Sequence, residues 1–105
     1  MDFVPNYWRA LAPMPEYLEA TWNKYKAVML GGKLDRLTKE IIALAVSATN
    51  GCDYCINSHT AAVKRLGLDD AAVVEIMAVV DFFNASNSVA DGLQIEPDVL
   101  PEVGP

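Results

Sequence analysis

The chain has 105 residues, 14 of them acidic and 8 basic, with a net charge of −6 at pH 7 and 52% hydrophobic residues. This length predicts a single domain over residues 1–105, and the negative charge argues against nucleic-acid binding, which needs a basic surface. The N-terminus lacks a basic start and an apolar run, and the longest apolar-or-small run, residues 41–48, is too short to span a bilayer. We therefore expect a soluble, cytoplasmic protein with no membrane partner.

The first part of the chain predicts an N-terminal arm followed by one helix. Residues 1–14 hold aromatic anchors (Phe3, Tyr7 and Trp8) and have room for one short turn. A helix should begin at Pro15, where a missing N–H costs nothing, and end near residue 30 before a pair of glycines. Its apolar side chains recur at helical spacing and are expected to form core. They are Leu18, Trp22, Tyr25 and Met29.

Three further helices are predicted from aspartates that can cap them and glycines that can end them. They cover about residues 36–50 after Asp35, 54–66 after Asp53, and 70–89 after Asp69. The tail, residues 92–105, holds three prolines and is expected to be extended. No strand is predicted, so the fold class is all-α.

Two of the predicted helices, those over about residues 36–50 and 70–89, are apolar on nearly every face. A helix of that kind must be covered on nearly every face, and a bundle of about four helices cannot do this for both. We therefore expect a homo-oligomer, with residues 71–83 or the aromatic N-terminus buried between subunits.

The chemistry of the chain is concentrated in eight positions that hold its two cysteines and its single histidine. Cys52 and Cys55 lie across the start of a predicted helix, where residues three apart have Cα atoms about 5–5.5 Å apart, within disulfide range. The helix start also favours the reactive thiolate. His59 is one turn beyond Cys55 on the same face and can accept its proton. This pattern predicts a redox site.

Glu40 is a further candidate for the site. If the helices on either side of residues 50–53 form an antiparallel hairpin, Glu40 lies about 15 Å from the turn and His59 about 9 Å. An extended glutamate, with or without a bridging water, could span the remaining offset of about 6 Å. Glu40 would then orient His59 and raise its basicity.

The pattern Glu40-x11-Cys52-x2-Cys55-x3-His59 in a helical chain resembles the alkylhydroperoxidase D-like branch of the carboxymuconolactone decarboxylase family. The resemblance covers about residues 4–90. It implies an AhpD-like helical bundle with the CxxC pair at the start of a central helix, assembled as trimers or hexamers. It also implies peroxidase or disulfide-reductase activity with no bound metal or organic cofactor.

The same resemblance implies a role for each site residue. Cys55, beside His59, would attack a small organic hydroperoxide, and Cys52 would resolve the sulfenic acid to a disulfide. Glu40 and His59 would relay protons, and a thiol or protein reductant would reset the pair. By analogy with thioredoxin-type helices, however, Cys52 would be the attacking thiol. The chain also has Tyr54 where well-studied relatives carry a histidine, and a phenol with a pKa near 10 cannot replace it as a shuttle at pH 7.

Other functions compatible with these residues are a dithiol–disulfide oxidoreductase with little peroxidase activity and a zinc module using both cysteines and His59. Structural zinc needs four ligands, so Glu40 or a second subunit would have to complete such a site. A carboxymuconolactone decarboxylase-type enzyme is a further alternative, although that branch lacks the redox pair. A non-catalytic oligomeric scaffold would remain if the disulfide were inert.

Overall fold

The computed structural model describes residues 4–102, and over that range the chain is all-helical, as predicted. Phe3, one of the expected anchors, lies outside the described residues, as do residues 103–105. The five helices are α1 (Asn6–Leu11), α2 (Pro15–Met29), α3 (Arg36–Asn50), α4 (Asp53–Arg65) and α5 (Asp70–Gly92). The chain divides after Glu40 into two units, which are described separately.

Most helix boundaries follow the predicted capping residues. The Asp35 carboxylate accepts a hydrogen bond from the backbone N–H of Thr38 at 2.8 Å, and Asp69 accepts one from Ala72 at 2.9 Å. These bonds satisfy amide groups that the first turn of a helix leaves unpaired. The predicted turn after α3 is confirmed at Gly51, which has a φ of 71° that favours glycine.

The predicted cap of α4 is wrong by one residue. Cys52, rather than Asp53, is the N-cap, and its sulfur accepts a hydrogen bond from the Cys55 amide at 3.3 Å. Asp53 is the first residue of the helix, where its negative charge still complements the helix dipole. α5 also runs three residues further than predicted, to Gly92, so the first residue of the predicted tail is helical. Residues 93–102 contain no helix or strand.

The first unit, described over residues 4–40, is built around an aromatic cluster where α1 meets α2. Trp8 packs edge-on against Trp22, with ring centroids 5.0 Å apart, and Trp22 stacks on Tyr25 at 5.4 Å. The prediction that α2 contributes core residues is not confirmed, because none of its residues is buried. Within this unit, the six-residue α1 is too short to cover the apolar face of a fifteen-residue helix.

The second unit, described over residues 41–102, has its buried apolar residues in α3 and α4. Leu44, Ala62 and Val63 are buried. α3 and α5 are also joined by a polar contact, in which the Asn84 side-chain amide donates to the Thr49 hydroxyl at 3.2 Å. The residues that α3 and α4 contribute leave much of the apolar surface of α5 exposed.

α5 is apolar but is not buried by this chain. None of its residues is buried, and large side chains including Val79, Phe82 and Phe83 are more than half exposed. Among the described residues it is the one helix whose length and composition would suffice to cross a membrane. Uninterrupted apolar runs in the sequence do not reveal this helix, because Glu75 and Asp81 interrupt its apolar run without ending it. The core helix of a soluble protein can have the same length and composition.

Candidate active site

The two cysteines form a disulfide at the start of α4. Cys52 is the N-cap and Cys55 is the third residue of the helix. Their Cα atoms are 5.3 Å apart, within the range predicted from helical spacing, and their sulfurs are bonded to each other. Both residues are half-buried. The helix backbone therefore holds the pair at a separation that suits a disulfide.

The backbone around the pair also favours a negatively charged sulfur. The Cys55 amide donates to the Cys52 sulfur, and the unpaired amides of the first helical turn carry partial positive charge. Such a position stabilises a thiolate, the form of cysteine that acts as a nucleophile. The arrangement can support reversible dithiol–disulfide chemistry.

His59 and Tyr54 both lie close to the pair in sequence. His59 lies one turn after Cys55 on α4, so the two side chains share a helix face, and it is half-buried. Tyr54 lies between the cysteines and is exposed. The structure thus brings Cys52, Cys55 and His59 together on one helix.

Glu40 lies on α3 at the end of the first unit, and it is 3% exposed. Its Oε1 accepts a hydrogen bond from Arg36 Nε at 2.9 Å. Burial is the largest single effect and lowers the pKa of the Arg36 guanidinium, but the hydrogen bonds and charges of Glu40 and Tyr25 together outweigh it, so the pKa is raised overall. The predicted link between Glu40 and His59 joins residues of different units and stays a prediction.

The contact that connects Glu40 to α2 was not predicted from the sequence. Arg36 contacts Glu40, and its Nη2 also donates to the Tyr25 hydroxyl on α2 at 3.0 Å. The spacing of Arg36 and Glu40, four residues apart on a helix, could have indicated their pairing. Nothing in the sequence indicated Tyr25 as a partner, because its spacing marked it only as an apolar position.

Over residues 4–102, no group of three or more histidine, cysteine, aspartate or glutamate side chains is placed to hold a metal ion. The described part of the chain therefore offers no observation in favour of the zinc alternative.

Comparison with known proteins decides the family. The sequence profile of the carboxymuconolactone decarboxylase family matches residues 15–95. The chain belongs to this family. Within it, the chain is similar to a crystal structure titled the alkylhydroperoxidase AhpD core, from Rhodospirillum rubrum, with a TM-score of 0.86 and 45% identity. That similarity covers 92% of this chain and 72% of the other.

Curated relatives of this family member carry the same name. An alkyl hydroperoxide reductase AhpD from Bradyrhizobium diazoefficiens is 30% identical over 90% of this chain and 50% of its own length. One from Streptomyces griseus is 29% identical over 79% of this chain and 47% of its own length. The chain thus spans about half the length of these two relatives. Together with the solved AhpD core, they place the chain in the AhpD-like branch of the family.

Proposed function

We propose that this family member is a thiol-dependent peroxidase that reduces small organic hydroperoxides through the Cys52–Cys55 couple. The observation that carries the proposal is the Cys52–Cys55 disulfide at the N-terminus of α4, with His59 one turn beyond Cys55. The names of the AhpD relatives support the same class of substrate. Because the chain covers only part of those relatives, their activity is proposed for it.

In the first step, His59 accepts the proton of the Cys55 thiol, and the thiolate attacks the peroxide. A sulfur–oxygen bond forms as the oxygen–oxygen bond breaks, and the leaving alkoxide takes the proton back from His59 to become an alcohol. Cys55 is then a sulfenic acid, oxidised by two electrons.

In the second step, Cys52 attacks the sulfenic sulfur, so that a disulfide forms and water leaves. Return to the dithiol needs two electrons and two protons from an external thiol or protein reductant. The short separation of the two cysteines supports this step, because the backbone does not have to move for the sulfurs to meet.

In this proposal Glu40 completes the relay by orienting His59 and stabilising its protonated form. Its support is the spacing shared with the family branch and the burial of the Glu40 carboxylate, which is rare for a glutamate without a structural or chemical role. Because Tyr54 cannot shuttle protons as an imidazole does, the link between Glu40 and His59 would be direct or through a water.

Single-cysteine variants test the couple and assign the attacking thiol. With Cys52→Ser, one equivalent of cumene hydroperoxide should convert Cys55 to a sulfenic acid that a dimedone probe labels, and the reaction should then stall. With Cys55→Ser, no sulfenic acid should form. The opposite pattern would make Cys52 the attacking thiol, and labelling of neither variant would contradict the peroxidase proposal.

The second candidate is a dithiol–disulfide oxidoreductase, and the observation that favours it is Tyr54 between the cysteines. If proton delivery to the alkoxide is poor, the same couple would exchange with disulfides faster than it reduces peroxides. Reduction of a small disulfide such as hydroxyethyl disulfide, measured beside cumene hydroperoxide, separates the two. The decarboxylase alternative receives no support from this site, since the redox pair has no part in that reaction.

We further propose that the protein is a cytoplasmic homo-oligomer, a trimer or hexamer as in the family resemblance. The exposed apolar surface of α5 supports self-association, because a soluble chain must cover a surface of that kind. The net charge of −6 supports a reductant with a basic docking surface and argues against a nucleic-acid partner.

A further inference from the structure

The first unit contains a continuous polar contact that runs from α2 to the buried Glu40. Arg36 uses two nitrogen atoms of one guanidinium, with Nε on the Glu40 carboxylate at 2.9 Å and Nη2 on the Tyr25 hydroxyl at 3.0 Å. The Arg36 side chain is 42% exposed, whereas that of Glu40 is 4% exposed. The arginine therefore lies between solvent and the buried carboxylate.

This contact differs from an ordinary surface pair on a helix. The arginine lies on the N-terminal side of the glutamate, which is the less favourable order for a pair four residues apart on a helix. The stability of α3 alone therefore does not explain the pair. A buried carboxylate, in contrast, is costly unless a charge partner and hydrogen bonds compensate it. The geometry therefore indicates that Arg36 compensates the cost of burying the Glu40 carboxylate.

The two bonds also use the shape of the guanidinium. Its donors are fixed in one plane, so bonds to two partners set the orientation of the whole group, which the flexible ammonium of a lysine cannot do. Burial alone would lower the pKa of Arg36, but Glu40 and Tyr25 together raise it, so the charge of the guanidinium persists throughout the pH range of thiol chemistry.

Tyr25 is itself held in place by the aromatic cluster. Its ring stacks on Trp22, with centroids 5.4 Å apart and planes 15° apart, and packs edge-on against Trp8 at 5.9 Å. Aromatic pairs of this kind add stability beyond their buried area. The hydroxyl that accepts from Arg36 is thus attached to a packed ring rather than to a freely rotating side chain.

We propose that Arg36, anchored by Tyr25, is a positioning residue that holds the Glu40 carboxylate in one orientation for the proton relay. This inference rests on the relay of the proposed function. Arg36 touches neither substrate nor cysteine in this role, and its effect on the reactive thiol passes through Glu40. A lysine at this position would supply the charge without the fixed orientation.

The test uses the Cys52→Ser chain, whose single thiol is Cys55. In this background we make R36Q, R36K, E40Q and the double variant R36Q/E40Q. For each protein, the rate constants for reaction of Cys55 with iodoacetamide and with cumene hydroperoxide are measured at pH 7. Lys33→Gln, which removes one exposed positive charge from the same unit, is the matched control.

R36Q should lower both rate constants by about tenfold, part of the roughly 10²–10⁴-fold that general acid–base catalysis contributes. R36K should recover part of the loss, and the control should react as the parent does. R36Q should add nothing in the E40Q background, because its effect passes through Glu40. If R36Q fails to fold, Tyr25→Phe replaces it, with a smaller loss that also disappears in the E40Q background.

Equal rates for R36Q and the control, or losses that multiply in the double variant, would overturn the inference while leaving the peroxidase proposal intact. An E40Q variant that reacts like the parent would overturn the inference and the relay, but not the cysteine couple. If the parent ignores hydroperoxide and alkylation still shows the predicted pattern, the peroxidase proposal fails and the role of Arg36 stands.

Discussion

The backbone amide of Cys55 donates a hydrogen bond to the sulfur of Cys52, the same atom that closes the disulfide between them. One sulfur thus serves both as the N-cap of α4 and as half of the redox couple. A thiolate accepts hydrogen bonds more strongly than a disulfide sulfur does. We therefore expect the Cys55 amide to keep this bond in the reduced protein whenever Cys52 is ionised.

Tyr54 is expected to limit the peroxidase reaction because a phenol is a poorer proton shuttle than an imidazole at neutral pH. Replacement by histidine in Tyr54→His should raise the rate of hydroperoxide-driven thiol loss at pH 7 severalfold. Tyr54→Phe, which removes only the hydroxyl, should leave the rate unchanged. Stopped-flow measurement of the first turnover would check this, and a slower histidine variant would show that proton delivery at this position is not limiting.

Loss of the α5 cap should destabilise the protein measurably. Asp69→Ala removes the carboxylate that accepts from the Ala72 amide, and a lost cap of this type costs about 1 kcal/mol. Urea unfolding at one fixed protein concentration would give the free energy of unfolding. Glu75→Ala, in the middle of the same helix, should change it much less, and an equal change in both variants would contradict a specific capping role.

The ion pair between Lys64 and Asp70 should make stability depend on pH in a defined direction. Lys64 Nζ lies 2.6 Å from Asp70 Oδ1. Its hydrogen bond and its charge lower the pKa of the Asp70 carboxyl below the ordinary value of 3.8. A carboxyl whose pKa is lower in the folded state than in the unfolded state stabilises the protein at any pH above the unfolded-state pKa. That stability is lost as the pH falls through the folded-state pKa.

The variant Asp70→Asn therefore has a predicted pH signature. It should be slightly less stable than the parent at about pH 7. The difference should shrink as the pH falls below the lowered pKa, where the Asp70 carboxyl is protonated in both the folded and the unfolded protein. The free energy of unfolding of both proteins across this range would check it. A difference that grows on acidification would contradict the assigned direction.

Self-association through α5 is a prediction that follows from its exposed surface. The side chain of Phe82 is 64% exposed, and burial between subunits would remove it from water. We expect sedimentation equilibrium to show a trimer or hexamer for the parent protein and smaller species for Phe82→Asp. Asn87→Asp adds the same charge to the same helix and should leave assembly unchanged. A monomeric parent would contradict the prediction.

The helices were predictable from sequence because their ends depend on local chemistry. Asp35 and Asp69 cap their helices as predicted, and a glycine lies within two residues after the end of α2, α3 and α4. The error at Asp53 has a physical cause, since thiols are not among the preferred caps and the neighbouring carboxylate was the obvious choice. In the structure the Cys52 sulfur, which is also bonded to Cys55, accepts the hydrogen bond instead.

Burial and partners were less predictable than the helices. Helical spacing marked Trp22 and Tyr25 as core, but spacing gives the face of a helix and not what covers it. The candidate residues were recognisable because the cysteines and His59 lie within eight positions on one helix. The contact of Arg36 with Tyr25 joins residues eleven apart, so it depends on how two helices pack, which a single sequence does not specify.

The central claim is most directly tested by counting thiols in the fully reduced protein after one equivalent of an organic hydroperoxide. The account predicts rapid loss of two thiols per chain, from Cys52 and Cys55, with no crosslink between chains. Retention of both thiols for hours, together with ready oxidation by a small disulfide, would contradict the peroxidase and leave a dithiol–disulfide oxidoreductase.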